Sequence, residues 1–131
     1  MSSKEESLIR KKIATWIRKH NGVAIVTSGS IKTAQGTPDI LATLWGHRSY
    51  RWITHAIEVK TVVGSPSALQ VATLNDMTYK GWVTSLPTSV DDFKKLHAFY
   101  DKLMLANFDH ATAMYMASVE FGDPYDIWRM Q

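Results

Sequence analysis

The sequence contains no cysteine, which excludes disulfide staples, thiolate zinc sites and a cysteine nucleophile. It is poor in structure-breaking residues, with 7 glycines and 4 prolines, and shows no internal repeat, low-complexity stretch or linker that would divide it. No apolar run approaches the ~20 residues that span a bilayer. The polar opening Met1 to Ser7 is unlike a signal peptide. A cytoplasmic protein with no membrane partner is therefore expected. What is present, 131 residues of which 45% are hydrophobic, suits a single folded domain.

Charge is unevenly spread. Residues 1–90 carry eleven Lys/Arg against five Asp/Glu, and residues 91–131 carry four against seven. A net of +6 followed by −3 points the first two thirds towards a polyanion such as DNA. On charge alone, Arg10, Lys11, Lys12, Arg18 and Lys19 read first as the solvated face of a helix.

That helix is expected over Ser3 to His20. Leu8, Ile9, Ile13, Trp16 and Ile17 recur at helical spacing, and Ser3 with Glu6 forms a capping-box pattern. Asn21-Gly22 ends it, with Gly22 expected in the left-handed conformation. Strands are expected at Val23–Thr27, Ile40–Trp45 and Trp52–Thr61, with a turn at Gly46–Ser49. Ser65-Pro66 signals a second helix running to about Lys80. A strand over Trp82–Leu86 follows, and then a helix from a Ser89 cap to about Leu105. Residues 108–131 do not read clearly as helix or strand. The order α-β-β-β-α-β-α implies an α/β fold, one mixed sheet with helices on its faces.

Chemistry concentrates at Pro38-Asp39 on one strand and Glu58-Val59-Lys60 on the next. Alternation along a strand sends Glu58 and Lys60 to one face and Ile57 and Val59 to the other. A hairpin through Gly46 can set Asp39 beside Glu58. Two adjacent carboxylates raise one pKa unless a cation sits between them, and an all-oxygen donor set favours Mg²⁺ or Mn²⁺. Lys60 adds an ammonium able to position a water or help deprotonate it for attack on a phosphate. The five histidines show no metal-ligand spacing, and His55 is expected to face away from Glu58.

Gly36-Thr37-Pro38-Asp39-Ile40, Ile57-Glu58-Val59-Lys60-Thr61, Gly64, Ser65-Pro66 and Gln70 together resemble the PD-(D/E)XK nuclease superfamily, and within it the virus-type replication-repair nuclease (VRR-NUC) domain. The resemblance covers about Glu6 to Leu105 and implies a restriction-endonuclease-like α-β-β-β-α-β core over about 5–106. Residues 107–131 then form an extension. It further implies that Asp39, Glu58 and the Val59 carbonyl bind metal, that Lys60 is the catalytic lysine, and that Gln70 supports the site or contacts the substrate backbone. An acid from the first helix is also implied, with Glu6 the candidate and Glu5 nearly as well placed.

The implied activity is Mg²⁺- or Mn²⁺-dependent hydrolysis of DNA phosphodiesters, directed at branched DNA such as a Holliday junction. Stand-alone members of the family resemble small phage or bacterial proteins, and paired cutting of a junction calls for a homodimer. The aromatic tail and the Ser89–Leu105 helix could supply that interface or simply cover the sheet edge. Alternatives are a DNA-binding module of the same fold that does not cut, and a sequence-specific restriction-type enzyme. Lys32 and Ser30 before Asp39, and Arg48 at the hairpin tip, are candidate DNA contacts. Trp16, Trp45, Trp52 and Trp82 are expected in the core or an interface.

Overall fold

A computed structural model describes residues 4–27 and 36–122. Ser3, the loop carrying Ser30 and Lys32, and residues 123–131 lie outside the described residues. The elements run α1 (Lys4–Lys19), β1 (Val23–Val26), β2 (Ile40–Gly46), β3 (Arg51–Ile57), α2 (Ala68–Tyr79), β4 (Val83–Ser85), α3 (Val90–Leu105) and α4 (His110–Phe121). The four strands form one sheet in the order β1-β2-β3-β4. β1, β2 and β3 pair antiparallel, whereas β4 lies parallel to β3 after the α2 crossover. No described helix is long and apolar enough to cross a membrane.

Helices cover both faces. Ile9, Ile13 and Ile17 of α1 pack with Ile40, Ala42, Leu44, Ile57, Val59 and Phe93. Ile53 and Val83 meet α3 and α4 through Leu96, Tyr100, Met104, Ala113, Met114 and Ala117. On the opposite face Ala56 meets Leu74 of α2, flanked by Leu41, Val71 and Trp82. The tail that resisted reading is thus partly a helix. It starts on an Asp109 cap, whose side chain accepts from the Thr112 N–H at 2.7 Å.

Several boundaries differ from expectation. α2 is capped by Ser67 rather than Ser65, because Ser67 and Gln70 form a reciprocal pair: Ser67 Oγ accepts from the Gln70 N–H and Gln70 Oε1 accepts from the Ser67 N–H. Two satisfied amides outweigh the lone Ser65 with Pro66. At the end of α1 it is Asn21, with φ 62°, that takes the left-handed conformation. Gly22 is needed for closeness instead, since a Cβ there would stand 2.6 Å from the Thr43 carbonyl oxygen. Leu8 is exposed and Arg10 is buried, the reverse of their expected faces. Trp52 is 55% exposed, which removes the core from its two expected placements and leaves the interface. It packs edge-on against half-buried Trp45. β3 ends at Ile57, so Glu58–Lys60 lie beyond the ladder with β2. They still follow β4: Glu58 N–H donates to the Ser85 carbonyl and Lys60 N–H to the Pro87 carbonyl.

Candidate active site

The β2–β3 register sets Ile40 opposite Ile57, so the residues just outside that pair, Asp39 and Glu58, come side by side. Asp39 Oδ2 accepts the Val59 N–H at 2.9 Å, which ties the entry of β2 to the exit of β3. Val59 is fully buried in the core. This apolar anchor fixes its peptide group while its neighbours Glu58 and Lys60 turn the other way.

Glu58 is only 2% exposed. Its Oε2 accepts a hydrogen bond from Gln70 Nε2 at 2.8 Å and lies 3.6 Å from Lys60 Nζ. Its Oε1 is buried with no hydrogen-bond partner. The capping box explains why Gln70 is available. The Gln70 side-chain oxygen is held by the Ser67 N–H, so the amide nitrogen is presented to Glu58. One carboxylate oxygen is therefore clamped and the other is left without a partner.

Of the two first-helix candidates, Glu6 is the one that reaches this cluster. Its Oε2 accepts from the Thr61 N–H at 3.3 Å and its charge reaches Asp39, whereas Glu5 is exposed. Burial and the Asp39 carboxylate push the Glu58 pKa up to about 7, against the opposing pull of Lys60 and of the Asp39 peptide N–H. Burial also raises Asp39, with Glu6 adding to the rise while the Val59 N–H and the charges of Arg10 and Lys60 resist it. Like charges are thus confined together, a state that a cation would relieve.

The donor set fits a hard divalent ion. An orphaned carboxylate oxygen on Glu58 and a second carboxylate at Asp39 are available, with the Val59 peptide fixed between them. Among the described residues no three His, Cys, Asp or Glu side chains gather into a metal-binding cluster. Protein ligands would therefore number few and water would complete the shell, the usual state of Mg²⁺.

Other expected residues fall elsewhere. Arg48 is exposed on the hairpin turn, its N–H bound to Asp101. Seven residues of β2 at ~3.3 Å each separate it from Asp39 by roughly 20 Å. His55 faces the core, as alternation predicts, and its Nε2 lies 2.9 Å from His97 Nδ1. Arg10, by contrast, was missed. It is buried and its charge acts on Asp39. The signal was present, because position 10 follows Glu6 by four residues and precedes Ile13 by three and Ile17 by seven, on the inward face.

Compared with models of known protein families, with curated proteins and with solved structures, the chain matches none.

Proposed function

We propose that this chain is a metal-dependent endonuclease that hydrolyses DNA phosphodiesters at branched sites, built on a restriction-endonuclease-like core of the PD-(D/E)XK type. One observation carries the reading: the Glu58 carboxylate is buried against Asp39 with its Oε1 short of a well-formed hydrogen bond, and the Lys60 ammonium lies on the same carboxylate. Such a group is costly in an unliganded core and becomes useful once a cation meets it. The element order α1-β1-β2-β3-α2-β4 agrees with the core that the resemblance implies.

A bound Mg²⁺ or Mn²⁺ would supply Lewis-acid stabilisation of the phosphoryl oxygens and acidify the attacking water. Asp39, Glu58 and the Val59 carbonyl would hold it. Lys60, whose side chain is 17% exposed, keeps its ammonium at the cleft, where it orients the water and faces the charge that develops on phosphate. Gln70 holds the Glu58 rotamer. Arg10 keeps Asp39 closer to its ionised state. Lys11, Lys12 and Lys19 are exposed on α1 and would meet the DNA backbone.

Symmetric cutting of a four-way junction requires two sites related by a two-fold axis, hence a homodimer. Leu105, Phe108, Tyr115 and Val119, exposed on α3, α4 and their connection, offer apolar surface for it. The test is cleavage mapping on a synthetic four-way junction and on linear duplex, with Mg²⁺, with Mn²⁺ and with chelator. Paired symmetric nicks that need metal are expected. Binding without cutting under every condition would identify a silent DNA-binding module. A fixed fragment pattern on linear duplex would identify a restriction-type enzyme.

A further inference from the structure

Beside Lys60 the structure holds a cavity of about 360 Å³, within the ~300–1,000 Å³ usual for small-molecule sites. It opens at the carboxyl ends of the parallel strands β3 and β4, the position where open α/β sheets receive ligands. Lys60 is a wall of this cavity as well as a member of the carboxylate cluster. A group bound here would therefore adjoin the reacting phosphate.

We infer that this cavity receives one unpaired nucleobase of the DNA strand being cut, with that nucleotide's phosphate lying at Lys60; the inference rests on the nuclease reading above. The lining is graded in the same way as a nucleotide. Lys60 supplies the cation at one end, while Leu86, Leu96, Met114 and Phe121 make the other walls apolar. Flat aromatic bases gain from such contact whatever their sequence. Ser85 lines the cavity, but its hydroxyl oxygen is closed to solvent, so its contribution to the wall is shape and not a hydrogen bond. Asp92, another wall, has its carboxylate engaged by Thr88. That negative charge repels a phosphate and tolerates the amino edge of a base.

A base paired within a duplex cannot enter. Extrusion costs a few kcal/mol from intact duplex and least from a strand already open. The cavity thereby selects cut sites next to unpaired nucleotides: branch points, flaps and mismatches. It also gives α4 a role beyond covering the sheet, because Met114 and Phe121 come from that helix.

The probe is the Met114 ε-methyl signal in methionine-labelled protein, titrated with each deoxynucleoside 5′-monophosphate and with deoxyribose 5-phosphate, without metal. Met77, on the opposite face in α2, is the reference. A saturable Met114 shift with an apparent Kd of about 1 mM is expected for the nucleotides and not for the sugar phosphate. Ser118→Trp, placed at a half-exposed wall position, should abolish it. On cleavable strands, an abasic site moved stepwise past the cut should lower kcat/KM about tenfold at one position.

Equal shifts with the sugar phosphate, no shift with any nucleotide, or a shift that survives Ser118→Trp would each overturn the inference. Metal-dependent cutting with a silent Met114 would refute the base site while leaving the nuclease standing. A base-dependent Met114 shift in a protein that never cuts would uphold the base site and refute the nuclease.

Discussion

His55 and Glu58 stand three residues apart in the chain, both nearly inaccessible to solvent, and each has a second titratable side chain beside it. His55 shares a hydrogen bond with His97, whose other nitrogen meets the Trp45 carbonyl, and Phe93 packs edge-on against the ring. Burial lowers the pKa of both histidines, so the pair is neutral within the core, although His55 Nδ1, like Glu58 Oε1, is buried with no hydrogen-bond partner. Glu58 has Asp39 as a neighbour of its own sign, and burial drives its pKa the other way. The imidazoles discharge by giving up protons and finding each other. The carboxylates can hold a proton only up to about pH 7, and above it they keep like charges together unless a cation meets them. Equal burial thus yields a structural pair in one place and a poised site in the other.

The comparison breaks most sharply on activity. Asp39→Ala or Glu58→Gln should lower the cutting rate by about 10³-fold or more, since each removes a charge that would hold the ion. Neither should unfold the protein. Wild-type turnover in either variant, measured on a nicked-junction gel, would remove the metal assignment. Lys60→Ala should slow cutting by about 10²-fold while junction affinity, read by fluorescence anisotropy, changes only a few-fold. Loss of affinity with unchanged turnover of bound substrate would make Lys60 a phosphate anchor instead.

His55→Leu should act in the opposite sense. It leaves His97 Nδ1 without its partner and should destabilise the fold by roughly 1–3 kcal/mol, seen as a lower denaturant midpoint. Turnover of the folded fraction should stay within about twofold, a difference below 1 kcal/mol. A deep loss of turnover with unchanged stability would place the histidines in the site and erase the contrast.

Much of this division was legible in residue spacing. Strand alternation separated His55 from Glu58, and the order of elements followed from periodicity with Pro and Gly punctuation. The Asp39–Glu58 encounter needed only a hairpin between two strands. What spacing hid was three-dimensional. The His55–His97 bond joins β3 to α3 across 42 residues, so no local pattern announces it. Arg10 lay among other basic residues and was grouped with them, although its angular position on α1 was inward. α4 has apolar residues on several sides: Met114 and Ala117 are buried while Tyr115 and Val119 are exposed. Such a helix shows no clear stripe, and its inward face is chosen by the cavity and the α3 surface it meets.

The finest test is the pH dependence, because the two pairs push stability in opposite directions. Glu58 has a folded pKa of about 7 against 4.5 for the free side chain, so between those values the folded form keeps a proton that the unfolded chain loses. Its contribution therefore declines as pH rises through that window, by on the order of 3 kcal/mol, and stays lost above pH 7. His55 has a folded pKa well below 6.5. The unfolded chain gains that proton first, so the His55 contribution is intact above 6.5 and declines as pH falls below it. From pH 4.5 to 6.5 the two slopes offset each other in the native protein. Glu58→Gln should leave stability climbing with pH in that window, and His55→Leu should leave it falling, as read from denaturant midpoints at half-unit steps. Added Mg²⁺ should flatten the Glu58 slope, since a bound cation favours the ionised carboxylate. By the same linkage its apparent affinity should strengthen about tenfold per pH unit up to about 7 and level off above. Parallel curves for the two variants would mean that the carboxylates are not in conflict, and the poised site would reduce to an ordinary ion pair with Lys60.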